Sequence, residues 1–270
     1  MRYTVNASII LAELPLLERP GAVRDAGFDA IELWWPFAGP APEQADVDAL
    51  VQALTDAGVQ LTGLNFDAGD MPGGDRGLVS WPGREADLQA NLDVVTEIGE
   101  RTGCRAFNAL YGNRQPGADP EAQDELGSRN LAAAARAVAR IGGTVLVEPV
   151  SGMDTYPLKT AADALAVIDR VAIEHGETNL GLLLDVYHLA VNGDDVDAAI
   201  AAYRDRIAHV QIADAPGRDQ PGTGDLPIGR WLGDLEAGGY AGWIGLEYKP
   251  ATASSQADLY AWLPREQRSA

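Results

Sequence analysis

Lysine is almost missing from this chain: Lys159 and Lys249 are the only two in 270 residues, against 18 arginines. Acid outweighs base, 40 Asp and Glu to 20 Lys and Arg, so the formal net charge is −20. A surface of that sign repels phosphate backbones and anionic bilayers, which sets nucleic acid and membranes aside as partners. Cysteine is rarer still. Cys104 stands alone, excluding an intrachain disulfide and a cysteine-built zinc site. No apolar run approaches the roughly 18 residues of a membrane span. Met1-Arg2-Tyr3-Thr4-Val5 enters a strand-like pattern without the apolar stretch of a signal peptide, so a cytoplasmic setting is expected. The preference for Asp (25) over Glu (15), and for Arg over Lys, fits a high-salt cytoplasm and GC-rich codon usage equally well.

What is present is a regular alternation. Short apolar runs at Tyr3–Ala7, Ala30–Leu33, Gln60–Phe66, Arg105–Leu110, Thr144–Glu148, Gly181–Asp185, Ile207–Ile212 and Trp243–Glu247 read as strands. Helical patterns lie between them, among others at Val47–Ala57, Glu85–Thr102, Glu121–Ile141 and Thr160–Glu174. Gly27, Gly58, Gly103, Gly142 and Gly239 stand where a helix must stop before a strand, because glycine adopts the left-handed turn that ends a helix. Strand–helix alternation implies parallel βαβ units. Eight such units with no linker or composition shift predict one domain over residues 1–270, a (β/α)8 TIM barrel. A doubly wound sheet is the alternative, but no GxGxxG follows the first strand.

In such a barrel the chemistry sits where strands end. Strands five to eight end at Glu148, Asp185, Gln211 and Glu247. Three converging carboxylates repel one another, and a divalent cation removes the conflict. Three carboxylates and an amide form an all-oxygen set that suits a hard ion, Mg²⁺ or Mn²⁺. The plain alternative is four ordinary strand-end caps bonded to loops. His188 follows Asp185 by three positions and is expected at the substrate or beside the metal. His209 points inward one layer deeper, as a core or supporting residue, and His175 reads as a solvated helix end.

With these residues in view, the chain resembles the hydroxypyruvate isomerase family of the xylose isomerase-like barrel superfamily. The resemblance spans nearly the whole chain. It is carried by Asn65-Phe66-Asp67-Ala68-Gly69-Asp70, Gly74-Asp75-Arg76-Gly77, Pro82-Gly83-Arg84-Glu85, Glu148-Pro149, Asp185-Val186-Tyr187-His188, Gln211-Ile212-Ala213-Asp214, Pro221-Gly222-Thr223-Gly224 and Glu247-Tyr248-Lys249-Pro250. It implies Glu148, Asp185, Gln211 and Glu247 as metal ligands, with Glu148 and Glu247 also as the catalytic pair that moves the proton. Related ketose 3-epimerases carry histidine where this chain has Gln211. Where related isomerases carry histidine before the asparagine after strand three, Leu64 precedes Asn65 here, so a substrate contact differs.

The implied reaction exchanges a ketone and an aldehyde on neighbouring carbons, hydroxypyruvate to tartronate semialdehyde. A metal stabilises the enediolate while one glutamate removes a proton and the other returns it. The substrate is a small anion, so a protein at −20 must supply local positive charge. Arg84, Arg218 and Lys249 are expected on the substrate side with Asn65 and His188, whereas Arg76, beside Asp75, reads as a surface ion pair. The glycine-rich loop Ala68–Gly83 is a lid or a static Ω-loop, and Trp34-Trp35 are placed to wall the pocket. Other readings are a 2-oxo-tetronate isomerase, a ketose 3-epimerase, and a non-catalytic small-molecule-binding barrel. An endonuclease of the same superfamily needs more histidines and a basic surface. Homo-oligomerisation stays open.

Overall fold

A computed structural model of the chain describes residues 1–250 and 256–269. Eight strands run in chain order: β1 (Arg2–Asn6), β2 (Ala30–Leu33), β3 (Gln60–Asn65), β4 (Ala106–Asn108), β5 (Thr144–Val147), β6 (Leu180–Asp185), β7 (Ile207–Ile212) and β8 (Trp243–Leu246). Each pairs in parallel with the next, and β1 returns to β8 through Arg2↔Trp243 to Val5↔Leu246, closing the barrel. The fold is the expected single-domain TIM barrel. Around it lie α1 (Ala7–Ile10), α2 (Arg19–Asp25), α3 (Gln44–Ala57), α4 (Glu85–Thr102), α5 (Pro120–Ala139), α6 (Ala161–His175), α7 (Val186–Asn192), α8 (Val196–Tyr203) and α9 (Ile228–Ala237).

Strands covered on both faces need near-continuous apolar sequence, and β2 and β6 are buried along their whole length. Helices α3 and α4 stop at Gly58 and Gly103, both left-handed, as the sequence punctuation predicts. Helix α6 starts with a capping box: Thr160 and Asp163 each bond the other's backbone N–H.

The expected strands overrun the observed ladders at several C-terminal ends. Glu148 and Glu247 lie just outside β5 and β8, and Glu247 keeps one backbone bond, from its N–H to Ile212 O at 3.1 Å. Register then sets the polar ring: Asn6 is level with Glu32, Asn65 with Asn108, and Asp185 with Gln211. Among the described residues no helix is long and apolar enough to cross a membrane.

Candidate active site

Three carboxylates meet at the mouth, and each is held by a neighbour that leaves part of it free. Asp185 caps α7: its Oδ1 accepts the N–H groups of Tyr187 (2.8 Å) and His188 (3.1 Å). Its Oδ2 is buried without a hydrogen-bond partner, 3.7 Å from the Arg218 guanidinium and 3.7 Å from His188 Nε2. Glu148 Oε2 accepts from Asn108 Nδ2 at 2.7 Å, and Oε1 lies 4.0 Å from His188 Nε2. Glu247 Oε2 accepts from Asn6 Nδ2 at 3.1 Å, and Oε1 from Arg218 at 2.6 Å. Glu148, Asp185 and His188 each offer an atom within 4.8 Å of the others, a spacing one metal ion can bridge.

Burial drives the electrostatics. It raises the proton affinity of Glu148, and the nearby Asp185 charge raises it further, against the Asn108 hydrogen bond. Burial likewise raises Asp185 and Glu247, while Arg218 pulls both down. Arg218 is half-buried, and desolvation works against its charge, but Glu247, Asp185 and Glu148 outweigh that and hold it more firmly protonated. Its backbone sits at φ 58°, a left-handed conformation costing a non-glycine residue on the order of 1 kcal/mol, offset by the pairing with Glu247.

His188 is lowered well below the ordinary range, first by burial and then by Arg218, Arg76 and Lys159. The ring is therefore neutral, and its tautomer follows from one contact. The Ser151 backbone N–H donates to Nδ1 at 3.0 Å, so the proton resides on Nε2 and faces Glu148 and Asp185. A protonated Nε2 donates and does not ligate. Spacing alone admits His188 as a third ligand; its hydrogen bonding makes it a donor.

Gln211 stands level with Asp185 on the adjoining strand. Its Nε2 donates to Glu32 Oε1 at 2.8 Å, and its Oε1 is buried with no partner. The residues therefore fit a hard cation: three carboxylates of raised proton affinity and two orphaned acceptor oxygens, Asp185 Oδ2 and Gln211 Oε1, all oxygen donors.

A cavity of about 680 Å³ opens above the cluster, walled by Trp34, Trp35, Phe37 and Met71. Of the residues expected at the substrate, Asn65, His188, Arg218 and Lys249 line it. Arg84 does not, and this corrects the expectation. Its guanidinium is paired with Asp87 and stacked 5.1 Å over the Trp81 ring. Arg76 lines the wall instead, donating to Met71 O (2.9 Å) and Asp75 O (2.6 Å) rather than pairing with the Asp75 carboxylate. In the loop 68–83, Leu78, Val79 and Ser80 are buried, with the Ser80 N–H bonded to Tyr111 O at 2.7 Å, while Met71 and Pro72 reach the cavity. His209 is buried as expected, but His175 is half-buried, 3.1 Å from Ser128 Oγ.

Several residues escape the sequence reading: Asn108 and Asn6 beside the two glutamates, Ser151 at His188, and also Tyr156 and Glu32. Tyr156 is fully buried, donates to Glu148 O at 2.9 Å and receives the Tyr111 N–H at 3.0 Å. Glu32 lies inside the barrel. Its only signal in the sequence was an acid within an otherwise apolar strand.

Residues 20–265 match the model of the xylose isomerase-like TIM barrels, which is the class that this barrel and its acid-lined mouth define. A Streptomyces coelicolor protein with the provisional name hydroxypyruvate isomerase is 52% identical, covering 100% of this chain and 98% of the relative. A 2-oxo-tetronate isomerase of Cupriavidus necator is 32% identical over 94% of this chain and 95% of its own. The crystal structure of a protein described as an AP endonuclease of family 2 from Brucella melitensis superposes with a TM-score of 0.85 at 30% identity, over 97% of each chain. The chain belongs to the hydroxypyruvate isomerase family, which includes the 2-oxo-tetronate isomerases, and is an isomerase.

Proposed function

We propose that this isomerase interconverts hydroxypyruvate and tartronate semialdehyde with the help of a bound divalent metal. The observation that carries the reading is the convergence of Glu148, Asp185 and Glu247, all buried, with the partnerless Oδ2 of Asp185, around the half-buried Arg218. Glu148, Asp185, Gln211 and Glu247 are the residues that would hold the ion, Mg²⁺ or Mn²⁺ by the hardness of their oxygens. When bound, the ion supplies Lewis-acid stabilisation of the negative charge that develops on the substrate's neighbouring oxygens.

The chain's own residues do the rest. Glu148 and Glu247 follow the ends of different strands, so one carboxylate can take a proton from one carbon and the other return it to the next. Without an ion, burial and the neighbouring carboxylates raise the proton affinity of both, and a bound cation would lower it again, leaving the pair ionised and able to accept a proton. Asn108 and Asn6 pin one oxygen of each and fix its direction. His188, with its proton on Nε2, donates to a substrate oxygen. Arg218, Lys249 and Arg76 supply the cationic side for the carboxylate, with Asn65 as a polar contact beside them.

The likeness to the Brucella protein does not transfer its chemistry: three histidines and a charge of −20 oppose a DNA substrate. The cavity has room for a fourth carbon, which favours testing a 2-oxo-tetronate beside hydroxypyruvate. The decisive assay follows both acids by proton NMR on EDTA-stripped protein, with and without Mn²⁺ or Mg²⁺. Turnover should return only with metal, and Glu148→Gln should lower kcat by roughly 10²–10⁴-fold. Turnover unaffected by stripping, or a wild-type rate for Glu148→Gln, defeats the proposal.

A further inference from the structure

Glu32 is a carboxylate in the middle of a barrel, only 3% exposed, and it does not line the cavity. It leaves β2 and crosses the interior to β7, two strands beyond its neighbour β1 in the closed ring. There Oε1 accepts from Gln211 Nε2 at 2.8 Å and Oε2 lies 2.7 Å from His209 Nε2. A carboxylate in such a place is tolerated only when both oxygens are bonded, and here both are.

The barrel makes room for it on two sides. A Cβ at Gly245 of β8 would stand 2.5 Å from Glu32 Oε1 and 2.8 Å from Gln211 Cγ. A Cβ at Gly63 of β3 would stand 3.2 Å from Glu32 Cβ and 3.3 Å from Oε2. Register puts Gly63 opposite Glu32 and Gly245 opposite Gln211. Two neighbouring strands thus give up a side chain where this one carboxylate and its partner meet.

The reason lies in the amide. A glutamine can face either way at almost equal volume, with its oxygen or its nitrogen toward a given point. A carboxylate only accepts, so the group opposite Glu32 must be Nε2, and Oε1 is turned away. That oxygen is the one left without a partner. We infer that Glu32 is a positioning residue: it fixes the sense of the Gln211 amide, so that Gln211 offers oxygen rather than nitrogen to the cation site. His209 holds the other carboxylate oxygen and stops Glu32 from swinging off. The inference rests on the reading of Gln211 as a ligand, since an amide NH₂ cannot coordinate a cation.

The test is Mn²⁺ affinity, measured by titration calorimetry on EDTA-stripped protein, beside thermal unfolding of the stripped form. Glu32→Gln is isosteric. If its oxygen stays on His209, its NH₂ confronts Gln211, whose amide must then flip and present nitrogen to the site. Outer-shell substitutions of this kind weaken metal binding about 10- to 100-fold, and that loss is expected here. The double variant Glu32→Gln/Gln211→Glu restores a donor opposite an acceptor and again leaves an oxygen for the ion. It should bind Mn²⁺ at least as tightly as wild type, because the carboxylate at 211 presents oxygen whichever way it faces. Gln211→Ala serves as the reference. Wild-type affinity in Gln211→Ala removes Gln211 from the ligand set, and the inference falls with it. Weakened binding in Gln211→Ala but wild-type affinity in Glu32→Gln overturns the inference and spares the ligand. Should Glu32→Gln not fold, the double variant decides alone: affinity no better than that of Gln211→Ala overturns the positioning role.

Discussion

Removing a single oxygen from Tyr156 probes how Glu148 is held. The hydroxyl is fully buried, and burial pushes its proton affinity up, so it remains a donor at every working pH. It spans two backbone groups, giving its proton to Glu148 O at 2.9 Å and accepting the Tyr111 N–H at 3.0 Å. Tyr156→Phe keeps the ring and leaves a buried C=O and a buried N–H without this partner. Each such group costs about 1–3 kcal/mol, so the pair sums to about 2–6 kcal/mol before relaxation. With partial relaxation we expect about 3 kcal/mol, which in a chain of this size lowers Tm by roughly 6–12 °C. The freed carbonyl belongs to Glu148 itself, so kcat should fall by about tenfold while KM stays near wild type. Calorimetry of the metal-stripped protein and steady-state kinetics read the two effects separately. A Tm within about 1 °C of wild type together with an unchanged kcat would refute the reasoning.

The other expectations concern charge. Arg76→Ala removes a cation from the cavity wall and should raise KM for an oxo-acid about tenfold, whereas Arg84→Ala, whose partner is Asp87, should leave it within about twofold. Steady-state kinetics on both variants decides this, and the reverse order contradicts the placement. For pH, burial and Asp185 raise Glu148 from 4.5 to about 8, so the folded protein keeps a proton that the unfolded chain has released. Such a group stabilises fully below the unfolded value and loses its contribution as pH rises through the folded one. His188, lowered in the folded state, acts in the opposite sense, but only below its ordinary value of 6.5. Urea midpoints of metal-stripped protein should therefore fall between about pH 7 and 8.5, and Mn²⁺ should flatten that slope. A midpoint that rises across this window is the contrary result.

The barrel was readable because its signals are local. A strand buried on both faces must be apolar at every position, as in Leu182-Leu183-Leu184, and a left-handed helix end must be glycine, as at Gly58 and Gly103. The same local logic singled out Glu148, Asp185, Gln211 and Glu247, because a polar residue ending an apolar run stands out. Two things were not local. Arg76 sits on the long loop and Arg84 just past it at the start of α4, and only the path of that loop decides which one faces the cavity. Glu32 answers residues 177 and 179 positions away, and no spacing rule connects it to His209 and Gln211. Its companions, Gly63 and Gly245, carry no signal until a third strand is placed against them.

Asn6 and Glu247 are 241 positions apart and meet at 3.1 Å only because β1 lies against β8. During synthesis the first strand leaves the ribosome long before the last one exists. Through almost all of translation its edge stays without a neighbour on one side, and the glutamate that Asn6 will restrain has not been made. The contact that anchors Glu247 therefore depends on the same strand pairing that closes the ring. A nascent or clipped chain that lacks the eighth strand holds seven-eighths of a barrel and none of the bond that anchors Glu247, so competence arrives all at once, with closure.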